Sequence, residues 1–228
     1  MSTSYTPEIA ARLEAECTEI MARYPTGHER SALIPMLHLV QSEDGYVSPA
    51  GIALCAEKLG LTRSEVSAVA TFYSQFRRHP VGEYHVGVCT NALCAVMGGD
   101  AVWDAVSEHL GLGNDEVSED GRLSLERIEC NAACDFAPVV MVNWEFFDNQ
   151  TPTSATQIVE DIREGKDIHP TRGANKVHTF KEIERVLAGF EDGHVDEGPS
   201  AGPASLVGLK IAREKKWTAP QKIGGQTK

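Results

Sequence analysis

The chain has 228 residues, of which 42% are hydrophobic and 24% charged, an ordinary globular composition with room for one large or two small domains. Its formal net charge of −12 gives no electrostatic basis for binding nucleic acid or an anionic membrane surface. No stretch approaches the roughly 18 consecutive apolar residues of a membrane span, and the acidic start is unlike a secretory signal. We therefore expect an intracellular protein that neither binds nucleic acid nor inserts into a membrane.

The charge is divided unevenly along the chain. Residues 1–169 carry 11 basic and 26 acidic side chains, a net charge of −15, whereas residues 170–228 carry 10 and 7, a net charge of +3. The second segment also holds 4 of the 11 prolines and 8 of the 20 glycines. This composition predicts a flexible, mildly basic C-terminal extension over residues 170–228, with one short helix from Phe180 to Gly189.

Apolar residues recur every three or four positions in the first eighty residues, as they do in amphipathic helices. Pro35 should bend the second of these helices or confine its regular part to the residues that follow. Ser48 is a predicted N-cap with proline next to it, and Thr62 to Glu65 form a capping-box pattern. Four helices are predicted, at about residues 9–24, 29–42, 49–60 and 63–76, which together would make a small bundle over residues 1–80.

Strand periodicity begins after Gly82. Tyr84, Val86 and Val88 alternate with smaller or polar residues and lead directly into Cys89. A helix of about Val96 to Leu110 follows, and the run Val139 to Val142 is typical of a strand buried on both faces. The remaining predictions are a strand at 122–129 and a helix at 153–164. Together these elements predict a small α/β unit over residues 81–169.

Six cysteines are present, and four of them form two close pairs, Cys89-x4-Cys94 and Cys130-x3-Cys134. Each pair lies where a predicted strand runs into a loop, so side chains from separate loops could be presented to one point. The other two, Cys17 and Cys55, lie on apolar helical stripes and are interpreted as small buried hydrophobes.

Four thiolates from two loops allow several uses. Disulfides are disfavoured in an intracellular chain, and a catalytic dithiol would need a two-residue spacing that neither pair has. Structural zinc and a [2Fe–2S] cluster both take four thiolates, and spacing alone does not separate them. The small or turn-tolerant residues Asn131, Ala132 and Ala133 would let backbone N–H groups approach inorganic sulfur, which favours iron. Both metal interpretations stay open on these grounds.

Several segments together carry a family resemblance. HVGVCTNALC (85–94) followed by Gly98-Gly99, ECNAACDFAPVVMVN (129–143), ALIPMLHLVQSEDGYVSP (32–49) and VSAVATFYSQF (66–76) resemble the NuoE family. This family consists of thioredoxin-like [2Fe–2S] ferredoxin subunits of NADH-quinone oxidoreductase, respiratory complex I. The resemblance covers about residues 7–165.

The resemblance implies an α+β fold in which a small N-terminal helical bundle precedes a thioredoxin-like [2Fe–2S] ferredoxin domain. It implies one [2Fe–2S] cluster with the ligands Cys89, Cys94, Cys130 and Cys134. The implied partners are the flavoprotein subunit that binds NADH and FMN and other peripheral-arm subunits of complex I. The implied location is cytoplasmic, peripheral to the membrane, as part of a membrane-bound complex.

Two alternatives remain. The same module serves as the diaphorase part of NAD-linked hydrogenases or formate dehydrogenases, and a zinc-stabilised interaction module is a different class of function.

The chain has no G-x-G-x-x-G or phosphate-loop motif of its own. Leu93 stands where relatives often have proline, and Ala132 stands where they have glycine, which would be strained if its φ were positive.

Three further side-chain and surface features allow simple interpretations. We expect His85 to pack in the core and Arg77-Arg78 to form a solvated pair. The helical region could either serve as a docking surface for a partner or merely cap the ferredoxin-like unit.

Overall fold

The computed structural model describes residues 5–199 and 201–218. Helices form the first part of the chain, and a mixed sheet with flanking helices follows. The predicted α+β class is confirmed. The first part consists of α1 (Pro7–Met21), a 3-10 turn (Glu29–Ala32), α2 (Leu33–Asp44), α3 (Pro49–Leu59) and α4 (Arg63–Phe72).

The predicted caps define the helix ends. Ser48 accepts a hydrogen bond from the backbone N–H of Gly51, and Thr62 and Glu65 form the reciprocal capping box. Because α2 begins only at Leu33, Pro35 lies in its first turn, where a missing N–H leaves no helical hydrogen bond unmade. The fourth helix is shorter than predicted, since it ends where Tyr73 turns to extended geometry.

Five strands follow: β1 (Tyr84–Cys89), β2 (Glu116–Val117), β3 (Leu123–Ile128), β4 (Val140–Val142) and β5 (Glu145–Phe147). They form one sheet in the order β2-β3-β1-β4-β5. Strand β1 runs parallel to β3 and antiparallel to β4, so it is the central strand. The predicted helix from Val96 to Leu110 is divided in two at Gly98, whose φ of 106° no other residue type adopts readily. The flanking helices are α5 (Ala92–Val96), α6 (Gly99–Leu110) and α7 (Pro152–Arg163).

Two hydrophobic cores lie side by side. The helical core contains Leu13, Leu37 and Val66, and the sheet core contains Val86 and Leu125, all fully buried. A smaller buried cluster at the end of β1 includes Cys89 and Cys94.

The segment after residue 169 contains the predicted short helix, as α8 (Phe180–Leu187). Phe180 is buried, with its ring centroid 6.3 Å from that of His85 on β1, and Ala188 belongs to the helical core. The flexible character of the extension over residues 170–228 stays a prediction. A further helix, α9 (Pro203–Glu214), lies beyond α8. The proposed boundaries after residues 80 and 169 stay predictions.

Buried polar groups join the two units. The carboxylate of Glu184 on α8 lies 2.7 Å from His38 Nδ1 in α2 and accepts a hydrogen bond of 3.0 Å from the indole N–H of Trp144. Arg77 is buried and pairs with Asp115 and Glu126, at 2.7 and 2.8 Å, so the interpretation of a solvated arginine pair is wrong for this residue.

His85 is a packed core histidine, as predicted. Its side chain is buried, with Nδ1 lying 2.9 Å from the Ser124 hydroxyl and Nε2 lying 2.9 Å from Glu126. Both ring nitrogens are therefore engaged within the fold.

Candidate metal centre

The first cysteine pair is positioned by the end of β1 and the short helix α5. Cys89 is the last residue of β1, and its backbone N–H donates to Val139, which anchors it beside the neighbouring strand. Asn91 caps α5 by accepting a hydrogen bond of 2.6 Å from the N–H of Ala92. One turn of helix then returns Cys94 to the neighbourhood of Cys89, and both thiols are buried.

The second pair comes from the loop after β3. Strands β1 and β3 are parallel and Cys89 lies opposite Ile128, so both strands end at the same edge of the sheet. Cys130 follows two residues later, and Cys134 begins a 3-10 turn (Cys134–Phe136). The backbone N–H of Ala132 donates to the sulfur of Cys130 at 3.3 Å. This hydrogen bond folds the loop around the Cys130 sulfur.

Ala132 adopts the left-handed conformation, with a φ of 51°. The sequence marked this position as strained if its φ were positive, and the structure shows that it is. The left-handed backbone conformation has a higher free energy for alanine than for glycine. The contacts around the loop must therefore hold Ala132 in this conformation.

The pKa values of Cys94 and Cys134 are both raised. Burial is the largest cause of the rise in the pKa of Cys94 to about 11, to which the neighbouring thiols of Cys89 and Cys134 also contribute. The pKa of Cys134 is raised first by partial desolvation of the thiol and then by Cys130, Cys89 and the carboxylate of Asp135. A metal would therefore have to displace protons from these two thiols in order to bind.

The exposure of the two pairs differs. Cys89 and Cys94 are 2% and 4% exposed, whereas Cys130 and Cys134 face solvent. The site therefore has a buried side on α5 and β1 and an open side on the second loop.

Two observations test whether a cluster would fit. A β-carbon at Gly99 would lie 2.6 Å from the carbonyl oxygen of Cys89 and 2.8 Å from that of Cys94, so only glycine allows α6 to approach the first pair. In the second loop the amide nitrogen of Asn131 is buried without a hydrogen-bond partner. The donor set, two thiols from each of two loops, suits a diiron cluster ligated by four cysteines.

No three His, Cys, Asp or Glu side chains within residues 5–199 and 201–218 are arranged to hold a single metal ion. A [2Fe–2S] cluster has a different requirement, since its four cysteines are shared between two irons.

The remaining cysteines lie away from this edge of the sheet. Cys17 and Cys55 are fully buried in the helical core, as predicted from their apolar stripes. Burial raises the pKa of Cys17 to about 11 and that of Cys55 still further above its ordinary value. Both side chains behave as small hydrophobes.

Sequence reasoning missed the support behind the second loop. The guanidinium of Arg172 lies 4.0 Å from the ring centroid of Phe146 and 5.2 Å from that of Phe136, and its Nε donates to Asp148 at 3.0 Å. No sequence pattern linked Arg172 to the cysteines, because it lies in the segment that was assigned to the extension.

Known proteins are similar in sequence along most of the chain. The family of thioredoxin-like [2Fe–2S] ferredoxins matches residues 17–163. An NADH-quinone oxidoreductase subunit of Mycobacterium bovis is 56% identical over 222 residues, which cover 97% of this chain and 87% of the relative. Another NADH-quinone oxidoreductase subunit, from Thermus thermophilus, is 36% identical over 168 residues, covering 73% of this chain and 93% of the relative.

A solved NAD+-reducing [NiFe]-hydrogenase in the air-oxidised state has a similar fold, with a TM-score of 0.53 and 20% sequence identity. The match covers 58% of this chain but only 23% of the hydrogenase chain. At this identity the likeness concerns the fold alone. Within the described residues no helix combines the length and apolar character needed to cross a membrane.

Proposed function

Because the chain belongs to the family of thioredoxin-like [2Fe–2S] ferredoxins, we propose that Cys89, Cys94, Cys130 and Cys134 hold its single [2Fe–2S] cluster. The chain is an electron-transfer subunit of NADH-quinone oxidoreductase, the activity that names its relatives at 56% and 36% identity. The observation that supports the ligand assignment best is the convergence of two cysteine pairs at one edge of the sheet, where β1 and β3 end together.

When bound, the cluster supplies reversible one-electron oxidation and reduction. The residues of this chain hold it and set how readily it accepts the electron. Cys89 and Cys94 would fix its buried side through the rigid end of β1 and the capped helix α5. Cys130 and Cys134 would hold its open side, where a partner's cofactor can approach most closely.

The electron donor belongs to another protein of the complex in this proposal. The chain has no dinucleotide-binding motif of its own, so NADH and FMN are assigned to a flavoprotein partner. The cluster would exchange electrons with that flavin, and other peripheral-arm subunits would complete the assembly. We also propose that the assembly places this chain on the cytoplasmic side, peripheral to the membrane.

The quinone-linked complex is preferred over a hydrogenase or formate dehydrogenase diaphorase. The high identity to quinone oxidoreductase subunits extends over 97% of the chain, whereas the hydrogenase resembles it in fold alone at 20% identity. Residues 170–228 strengthen this preference, because an alignment over 97% of the chain includes most of them.

Anaerobic mixing with the cognate flavoprotein tests the proposal. The cluster of the full-length chain should stay oxidised when NADH is added alone and should bleach when NADH and the flavoprotein are added together. Dithionite serves as the control that every cluster can be reduced. A cluster that dithionite reduces but that NADH cannot reduce in the assembled complex would contradict the electron-transfer role.

A further inference from the structure

The side-chain amide of Asn131 is a polar group in the second cysteine loop to which the ligand assignment gives no role. Its Nδ2 atom is buried and has no hydrogen-bond partner in the described part of the chain. Buried donors in folded proteins are nearly always paired, and an unpaired donor at a binding site indicates a ligand acceptor. The question is therefore which acceptor this amide would meet.

The second cysteine loop contributes Ala133 to a buried cluster that also contains thiol sulfurs. Asn131 directly follows Cys130, whose sulfur accepts a hydrogen bond from the backbone of Ala132, and lies two residues before the buried Ala133. The cluster that includes Ala133 also contains the thiols of Cys89 and Cys94. Within this cluster, the two sulfurs are the side-chain atoms that could accept a hydrogen bond from an amide.

We propose that Asn131 Nδ2 donates a hydrogen bond to a sulfur of the cluster and thereby raises its reduction potential, an inference that rests on the proposed function. Reduction adds one negative charge, which is shared with the sulfurs, and a hydrogen bond to a charged acceptor is stronger than one to a neutral acceptor. The donor therefore stabilises the reduced state more than the oxidised state. Asn131 is a positioning and tuning residue in this proposal and not a ligand.

The first loop provides a matched comparison. Asn91 lies two residues after Cys89, but it is exposed and its side-chain oxygen is engaged in capping α5. Substitution of Asn91 by serine removes the amide and keeps an oxygen that can cap the helix. This variant therefore controls for the loss of an asparagine amide close to the cysteines.

The direct test uses the full-length chain, isolated anaerobically after growth with asparagine carrying ¹⁵N only in its side-chain amide. Pulsed EPR of the dithionite-reduced protein should show a coupled ¹⁵N nucleus in the wild-type protein and in Asn91→Ser. The coupling should be lost in Asn131→Leu, which keeps the side-chain volume and removes the donor. The wild-type measurement needs no substitution, and absence of ¹⁵N coupling there overturns the inference even if a variant folds poorly. Coupling that persists in Asn91→Ser is assigned to an amide other than that of Asn91.

Redox titration supplies the second readout. We expect Asn131→Leu to shift the one-electron equilibrium about tenfold towards the oxidised state, a fall of about 59 mV in midpoint potential, with no such shift in Asn91→Ser. A normal EPR signal without ¹⁵N coupling, or a potential unchanged in Asn131→Leu, would overturn this inference and leave the proposed function intact. A reduced protein without any EPR signal would instead overturn the proposed function.

Discussion

The α-carbon of Gly99 approaches the backbone of Cys89 so closely that an added β-carbon would lie 2.6 Å from the Cys89 carbonyl oxygen. Real β-carbons do not approach backbone atoms so closely, so any side chain at position 99 must displace α6 or the first cysteine pair. Gly99 is thus the spacer that sets the distance between α6 and the candidate metal centre.

Gly99→Ala is expected to distort the first cysteine loop. The variant should bind less cluster per chain, and its reduced EPR spectrum should differ in line shape from that of the wild-type protein. Gly98→Ala is the matched control, because Gly98 has a φ of 106° but no atom lies near its missing β-carbon. Gly98→Ala should lower stability while leaving the spectrum unchanged, and equal cluster loss in both variants would contradict the spacer interpretation.

The division of the six cysteines predicts which substitutions abolish the cluster. Alanine at position 89, 94, 130 or 134 should remove it or reduce its occupancy severely, since each thiolate would be one of four ligands. Cys17 and Cys55 lie in the helical core. Their substitution by serine should lower stability but leave the visible spectrum unchanged. Loss of the cluster from a folded Cys17→Ser protein would contradict the assignment.

The acidic residues near the second pair should lower the reduction potential. Asp135 is exposed and follows Cys134 directly, and its carboxylate opposes the negative charge that reduction adds. Asp135→Asn should therefore raise the midpoint potential. Because solvent screens an exposed charge, the rise should be at most about 59 mV, which corresponds to a tenfold shift of the one-electron equilibrium towards the reduced state. Redox titration at low salt checks this sign, and an unchanged or lower potential would count against the argument.

The buried carboxylate of Glu184 should stabilise the junction between the two units. Glu184→Ala would leave the Trp144 indole N–H and the His38 ring without their shared partner, at a cost of about 1–3 kcal/mol. Urea unfolding measures this loss, and Glu191→Gln at an exposed position should change stability by less than about 0.5 kcal/mol. Equal stability of Glu184→Ala and the wild-type protein would show that the junction contributes nothing.

The stability of the sheet unit should depend on pH through His85. Burial lowers the pKa of His85 and outweighs the hydrogen bond with Glu126, while the charge of Arg77 lowers it further and that of Asp115 raises it. The pKa of His85 is lower in the folded protein than in the unfolded chain. Its contribution to the free energy of unfolding is therefore complete above about pH 6.5, the ordinary pKa of histidine, and is lost as the pH falls below that value.

The pKa of Glu126 changes in the direction that reinforces this effect. Burial alone would raise it, but the hydrogen bonds and charges of His85 and Arg77 lower it, so its stabilising contribution is also lost in acid. The free energy of unfolding should fall more steeply between pH 7 and 5 in the wild-type protein than in His85→Gln. The difference should be at most about 1.4 kcal/mol per pH unit for one proton, and parallel curves would refute the role of His85.

Local patterns in the sequence predicted most of the elements near the site. The alternation from Tyr84 to Val88 placed β1, the capping box at Thr62 to Glu65 placed α4, and the paired cysteines marked the edge where β1 and β3 end. These features depend on neighbouring residues, so a linear pattern reveals them.

Long-range relationships could not be predicted in this way. The contact of α8 with α2 joins residues such as Glu184 and His38, which are 146 positions apart. The strands β2 and β5 are two and three residues long, too short for a period to appear. The burial of Arg77 depends on Asp115 and Glu126, which no local pattern associates with it.

Metal and spectroscopic analysis of the full-length chain, isolated without air, tests the central claim most directly. Two irons and two acid-labile sulfides per chain are predicted, with one unpaired electron per chain in the EPR spectrum after dithionite reduction. The reduced signal should disappear from the Cys130→Ala protein. A colourless protein that contains stoichiometric zinc and gives no EPR signal after full reconstitution with iron and sulfide would contradict the account.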